Sequence, residues 1–425
     1  MRRWLLLLFL ATMAVDWPRL AYGARLTDIA FAAAAIAIVV NPPFAPAALR
    51  RGGLFSWPRR TALDFAIIAY IAGSLPAVIF SPDLRTSSIE LVRQLYLVAI
   101  YVAIAMAVKQ GAARTIATGI ALCGAMIAAL GLAAVAAFYL TGARTTAITP
   151  ITSLPYIGDT LRLRALAASE AMVACVLAMS VPFALLHPEV NASRVRRTVA
   201  AVWLALAALL TYSHSIAGVA VSALMASWNA IRSRMAVRTA AIAVTVLIVA
   251  ALNFAASFSI RSIGTSPFRD DTVFQYAVDG GRAQIAGVNV DYQTMSYLRI
   301  KQVAWDAFRS YPISGLGLDR FHHATEIAYA QGRLTADYRA IDPHSTFFGR
   351  FAEAGIVGGT TLIALWITIA LTLDRLATVQ RDNWIAIAVT AGIVGTLVNS
   401  MNADIMNFRF LWVALGMVRG LQNPR

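Results

Sequence analysis

The sequence predicts an all-α, polytopic membrane protein, and three observations carry that prediction. Of the 425 residues, 59% are hydrophobic and only 13% charged, against about 25% charged in an average soluble domain, and the mean hydropathy is +0.68. Apolar runs close to the ~20 residues needed to cross a hydrocarbon core recur along the whole chain. The 36 Lys and Arg outnumber the 21 Asp and Glu, and many of them gather in short loops between the apolar runs. A net charge of +15 would suggest nucleic acid in a soluble protein. Here the positive-inside rule explains much of it, so membrane lipid and not nucleic acid is the expected surrounding.

Taken in order, twelve transmembrane helices are expected, at about 4–22, 26–41, 62–80, 92–108, 115–140, 166–187, 198–212, 215–231, 238–258, 347–373, 384–400 and 404–420. Met1-Arg2-Arg3 followed by Trp4 to Val15 reads as an uncleaved signal-anchor. Pro42-Pro43, Pro46 and the pairs Arg50-Arg51 and Arg59-Arg60 mark a cytoplasmic loop. Leu84 to Val92 is partly amphipathic and is expected along the outer interface. Cys123 and Cys175 lie inside apolar runs, where isolated thiols behave as small hydrophobes, and they form no CxxC or zinc pattern. With the N-terminus inside, eighteen basic residues fall in cytoplasmic loops and eight in short outer loops. Both termini are therefore expected in the cytoplasm, with the long polar loop on the outer face.

The chain divides into spans one to nine (1–258), a long outer loop (259–346) and spans ten to twelve (347–425). The remaining ten basic residues, nine Arg and Lys301, lie between Arg261 and Arg350. Long loops translocate whatever their charge, so this excess has another origin. The planar fork of Arg suits bidentate phosphate or carboxylate binding; a high-GC codon bias gives the same excess. Within the loop, Ile300, Val303, Ala304, Ala307 and Phe308 follow helical spacing and predict a short helix over Met295 to Ser310. Tyr311-Pro312 and the next glycines break it, and a second short helix is expected over Leu318 to Tyr329.

Four outer-face elements supply polar groups, which is what an anionic lipid head group requires. His344 follows Asp342-Pro343 at the outer end of the tenth span, with Arg350 and Glu353 further in. Imidazole takes a proton near neutral pH; the alternative is that His344 caps the helix beside Ser345 while an Arg350–Glu353 ion pair holds the bundle. Arg299 and Lys301 open the loop's first helix. Arg162 and Arg164 precede the sixth span and Glu170. His214 lies in the tight turn Tyr212-Ser213-His214-Ser215. Asp319, His322, His323 and Glu326 share spacing that could chelate a metal, but no HExxH order is present and an exposed amphipathic helix gives the same letters. Gly315-Leu-Gly317 is no dinucleotide loop, since no strand precedes it and no third glycine follows. No metal and no cofactor are expected.

Arg299 to Trp305, then Tyr311-Pro312-Ile-Ser-Gly315-Leu-Gly317, then Pro343-His344-Ser345 to Phe351-Ala-Glu353-Ala-Gly355-Ile-Val-Gly358 resembles the O-antigen ligase and polymerase superfamily, membrane glycosyltransferases of the GT-C type. About 60 residues carry the likeness, and the topology with one large periplasmic loop fits it. The chain departs from the family where Ser213-His214-Ser215 replaces Ser-Arg-Gly, where Ser345 replaces Asn after the His, and where Leu163 to Glu170 lacks the family's Gly and Pro-Asn. The resemblance implies metal-independent glycan transfer from undecaprenyl pyrophosphate to an acceptor hydroxyl. Under it Arg299 and Arg164 bind pyrophosphate, His344 activates the acceptor, and His214 serves either group, with Arg162, Lys301 and Arg350 as further substrate-binding residues. The acceptor is lipid A–core for an O-antigen ligase or a growing polysaccharide for an O-antigen or exopolysaccharide polymerase. A lipid-linked oligosaccharide transporter or flippase is the alternative of another class; its ionisable residues would be expected nearer the membrane midplane.

Overall fold

The computed structural model of the protein describes residues 2–15, 26–40, 60–142, 148, 151–154, 158–211, 213, 215–228, 258–262, 280–285, 288–294, 296–334 and 339–422. Helix dominates: α1 (Arg2–Thr12), α2 (Leu26–Val40), α3 (Ala62–Ala72), α4 (Leu75–Ile79), α5 (Leu84–Ala107), α6 (Ala113–Thr141), α7 (Glu170–Leu186), α8 (Pro188–Asn191), α9 (Arg194–Leu209), α10 (Ile216–Trp228), α11 (Ser296–Ser310), α12 (Phe321–Ala330), α13 (Thr346–Val379), α14 (Trp384–Asn399) and α15 (Arg409–Leu421). The stretches Ala62–Ile79, Leu84–Thr141 and Thr346–Val379 are long and apolar enough to cross a membrane. Glu170–Leu186, Ile216–Ser227 and Trp384–Asn399 are shorter apolar helices. The span expected at 238–258 lies outside the described residues, as does His214.

Several expectations are corrected. Leu84 to Val92 is no separate interfacial segment: it forms the first turns of α5, started by Asp83, whose carboxylate accepts from Thr86 N at 3.1 Å. The twelfth span begins at Arg409 rather than 404, because 400–408 is a turn. The chain is not helical throughout. β1 (Ile151–Leu154) pairs antiparallel with β2 (Gly158–Leu161). In the long loop β3 (Phe258–Ser262), β4 (Gly280–Ile285) and β5 (Val288–Thr294) form an antiparallel sheet in the order β3-β5-β4. The strand signal was present: Val288-Asn-Val-Asp-Tyr-Gln-Thr294 alternates larger apolar with polar residues, the period of a strand and not of a helix.

The packing is that of helices in lipid. On α9, Val195, Val199, Val202, Leu206 and Leu209 form one exposed stripe, while Leu204, Ala207 and Ala208 on the other side are buried. An apolar stripe turned outward is stable against hydrocarbon and costly against water. Small residues let backbones touch: a Cβ on Gly218 of α10 would run into the carbonyl of Gly395 on α14, and the reverse holds. α15 is buried from Arg409 to Gly420, and two of its arginines meet carboxylates. Arg409 Nη2 bonds Asp28 Oδ1 at 2.7 Å, and Tyr96 donates to the same oxygen at 2.7 Å. Arg419 Nε bonds Asp64 Oδ2 at 2.8 Å, and Tyr101 donates to Asp64 Oδ1 at 2.6 Å. The Arg419–Asp64 pair is buried and the Arg409–Asp28 pair is partly buried, each with a tyrosine to satisfy a further lone pair, the condition under which buried ions are tolerated.

Candidate active site

The site is built around a break in α13. Gly355 sits at φ 61°, ψ −160°, a region open essentially to glycine alone. The break frees backbone groups of the helix, and the turn 311–317 takes them up. Ile356 N donates to Pro312 O at 2.7 Å, Leu316 N to Ala352 O at 2.9 Å, and Gly317 N to Glu353 O at 3.0 Å. The Tyr-Pro-Ile-Ser-Gly-Leu-Gly motif and the glycine-rich start of α13 are therefore two halves of one hydrogen-bonded joint. Glu353 adds a side-chain bond, accepting from Phe321 N at 3.2 Å at the start of α12, where the first turn of a helix leaves backbone N–H groups without partners inside the helix.

His344 stands two residues before α13 with φ 45°, an uncommon left-handed value for a non-glycine residue. Ser345 caps the helix, its hydroxyl accepting from Phe348 N at 3.5 Å. Thr346 ties this end to the turn after α14: Thr346 N donates to Ser400 O at 2.9 Å, Thr346 Oγ1 to Ala403 O at 3.0 Å, and Ile405 N to Thr346 Oγ1 at 3.0 Å. From the same turn Asn402 reaches α11, where Lys301 Nζ donates to Asn402 Oδ1 at 2.7 Å. Burial holds the His344 imidazole below its usual pKa; the charge of Lys301 acts the same way and Asp342 partly offsets both. Burial also lowers the Lys301 ammonium. Burial, with Asp342 adding to it, pushes the Asp404 carboxyl up to about 6 against bonds and charge from Met406 N, Arg350 and Thr346. The His344 imidazole is thereby biased toward its neutral, basic form within the field of the Lys301 charge.

The other expected residues are turned elsewhere. Arg299 Nη1 donates to Arg333 O at 3.4 Å, and Arg333 pairs with Asp306. Arg299 and Lys301 are two residues apart, about 200° around a helix, so they flank the buried stripe Ile300, Val303, Ala304 and Ala307 on different sides. Arg350 is buried and does not pair with Glu353. Its Nη2 donates to Tyr70 O at 3.1 Å and to Ser74 Oγ, and its guanidinium lies 4.3 Å from the Tyr70 ring centroid. Arg162 Nε donates to Thr211 O at 3.0 Å, and its Nη1 lies 3.7 Å from Glu170 Oε2. Arg164 donates to Ala167 O at 3.1 Å and Ala168 O at 2.8 Å. It braces a turn in which Ala165 and Leu166 both have positive φ. So the fold brings His344 and Lys301 together, gives Arg299 and Arg350 other partners, and sets Arg162 and Arg164 in a second cluster ahead of α7.

Asn399 ties the end of α14 to α7 and α10. Its Oδ1 accepts from Gly218 N at 3.1 Å and its Nδ2 donates to Cys175 Sγ at 3.3 Å, while the next residue, Ser400, meets Thr346. Sequence reasoning missed this turn because position 404 was placed inside a span. The signal was there in Asn399-Ser400-Met401-Asn402-Ala403-Asp404, the polar interruption between two apolar runs. Among the described residues no group of His, Cys, Asp and Glu is arranged to hold a metal, and His322 and His323 are exposed.

A family model described as O-antigen ligase matches residues 199–363, a segment that contains α11, the 311–317 turn, His344 and the break at Gly355. No curated protein matches the chain. Through residues 199–363 this membrane protein is similar to the O-antigen ligase family.

Proposed function

We propose that the protein is a glycosyltransferase that moves a glycan from undecaprenyl pyrophosphate to an acceptor hydroxyl at the periplasmic face of the inner membrane, with lipid A–core as the acceptor. The observation that carries this reading is His344, in a left-handed backbone conformation within the matched segment and with its pKa held down by burial and the Lys301 charge. His344 takes the proton from the acceptor hydroxyl, the hydroxyl oxygen bonds to the anomeric carbon, and the bond from that carbon to the diphosphate oxygen breaks. Charge builds on the anomeric centre as in glycoside chemistry generally and on the departing diphosphate, where cations stabilise it. Arg299, Arg162 and Arg164 are the further cations proposed for the donor. Residues 259–346 serve as the working loop between the two helical parts.

The test is transfer by purified protein from an undecaprenyl-pyrophosphate oligosaccharide, offered lipid A–core or further donor. Product on lipid A–core supports the ligase; lengthening of the carrier-bound glycan moves the assignment to a polymerase. Movement of the intact donor across vesicles with no new glycosidic bond would assign a transporter. His344→Ala is expected to lower kcat at least about a hundredfold, the ordinary weight of a general base.

A further inference from the structure

The Lys301 ammonium is held in an unusual way. It is partly buried, its partner is the neutral oxygen of Asn402 at 2.7 Å, and no carboxylate pairs with it among the described residues. Two buried arginines are answered by acids, Arg409 by Asp28 and Arg419 by Asp64, while the buried Arg350 is held by the Tyr70 carbonyl, the Ser74 hydroxyl and the Tyr70 ring. A buried charge is costly unless paired, and an amide dipole compensates an ammonium only in part. Asn402 is itself buried and stands on a turn pinned by Thr346 through Ser400, Ala403 and Ile405, so its oxygen is fixed. Of the three donors on an ammonium, one goes to Asn402. The charge of Lys301 reaches His344. The acid whose charge reaches that histidine is Asp342, and neither it nor Asp404 forms an ion pair with the lysine.

We propose that Asn402 is a positioning residue that holds the Lys301 ammonium uncompensated beside His344, as the seat for a phosphate oxygen of a lipid-linked diphosphate. The inference rests on the transferase reading above and names the cation that meets the leaving group. The substitution that separates a seat from a mere tether is Asn402→Asp. A carboxylate there fits the same space and strengthens the link to Lys301, yet it supplies the counter-charge that the ligand would otherwise bring.

The experiment compares full-length wild type, Asn402→Asp, Lys301→Met and Lys301→Arg in lipid nanodiscs. Transfer is followed while the donor is titrated at fixed acceptor and the reverse. Undecaprenyl pyrophosphate and inorganic pyrophosphate are added separately as inhibitors, and unfolding temperature is read in parallel. Asn402→Asp is expected to unfold no lower than wild type while its donor KM rises about tenfold or more and its acceptor KM stays within about twofold. Inhibition by undecaprenyl pyrophosphate weakens in step. Inhibition of wild type by inorganic pyrophosphate as well places the seat at the diphosphate; inhibition by the lipid form alone, weakened by Lys301→Met, places it at the head group of an anchored carrier. Wild-type donor KM in Asn402→Asp overturns the proposal, because a strengthened tether would then serve as well as the free charge. If Asn402→Asp does not accumulate, the lysine variants decide: Arg keeping more donor affinity than Met upholds the seat, and equal loss in both overturns it. A wild type that transfers nothing overturns the transferase reading, whereas binding of undecaprenyl pyrophosphate that Lys301→Met weakens still upholds the seat, and binding that Lys301→Met leaves unchanged overturns it.

Discussion

Gly355 and Gly315 hold each other in place across the break in α13: a Cβ on Gly355 would lie 2.9 Å from Gly315 N, and one on Gly315 would lie 2.5 Å from Ala354 N. Both residues have positive φ, 61° and 70°. Alanine at either position meets backbone strain of about 1–3 kcal/mol together with a collision against backbone that cannot swing aside. Gly355→Ala and Gly315→Ala are each expected to lower stability by about 3 kcal/mol or more and to abolish transfer. Thermal unfolding and hydrogen exchange over 311–317 would test this. Unchanged exchange in that turn would mean the joint is dispensable.

The pH dependence of transfer follows from His344. Burial and Lys301 hold its pKa below the usual imidazole value, about 6.5, so the neutral base persists below that pH and the acid limb of kcat/KM falls lower than 6.5. Lys301→Met removes an opposing charge and shifts the limb up; Asp342→Asn removes a supporting one and shifts it down. Stability carries the same sign. Above about 6.5 the group is neutral folded or unfolded, and below it the unfolded chain takes up the proton first, so stability falls with pH. Opposite movement of the two limbs, read from pH–rate profiles, would remove His344 as the base.

Arg350 is expected to matter through α3 more than through substrate. It bonds Tyr70 O near the end of that helix and lies over the Tyr70 ring. Basic groups satisfy the last carbonyls of a helix. Arg350→Met is expected to cost about 2 kcal/mol, and Arg350→Lys to do no better, because an ammonium lacks the planar fork and stacking face. Donor KM should move less than unfolding temperature. A large rise in donor KM with unchanged stability would assign Arg350 to the substrate instead.

Asp64 and Arg419 offer a direct test of what holds the opposite end of the bundle. Arg419→Met leaves a buried carboxylate facing only Tyr101 and Thr61, which is expected to cost about 3–5 kcal/mol. The double variant Asp64→Asn with Arg419→Met removes both charges and is expected to recover most of that loss. A double-mutant cycle on unfolding in detergent measures the coupling. Additive losses would show that the pair contributes little beyond packing.

Part of this was legible in the sequence and part was not, for identifiable reasons. The apolar runs gave α7, α13 and α14 to within a few residues, because burial in lipid leaves a continuous signal. The buried stripe from Ile300 to Ala307 was read correctly. The divergence of Arg299 and Lys301 was also implicit there, since residues two apart lie about 200° around a helix from each other. What could not be read was the break at Gly355: a glycine within a helical pattern carries no sign of its φ until a partner loop claims the freed backbone. Asn402 escaped for a related reason. Its importance lies in a contact 101 residues away in sequence, and no local pattern announces an amide that meets a lysine.

The two arginines of α15 have a consequence for how the protein is made. Their partners, Asp28 and Asp64, precede them by 381 and 355 residues. A ribosome delivers α2 and α3 to the lipid long before either counter-ion has been translated. Throughout that interval the arginines that Asp28 and Asp64 finally meet do not yet exist, and the arrival of α15 supplies both. A chain halted before Arg409 therefore carries a chemical record of its own incompleteness: neither Asp28 nor Asp64 has met its α15 arginine. The arrival of α15 erases that record as it closes the structure.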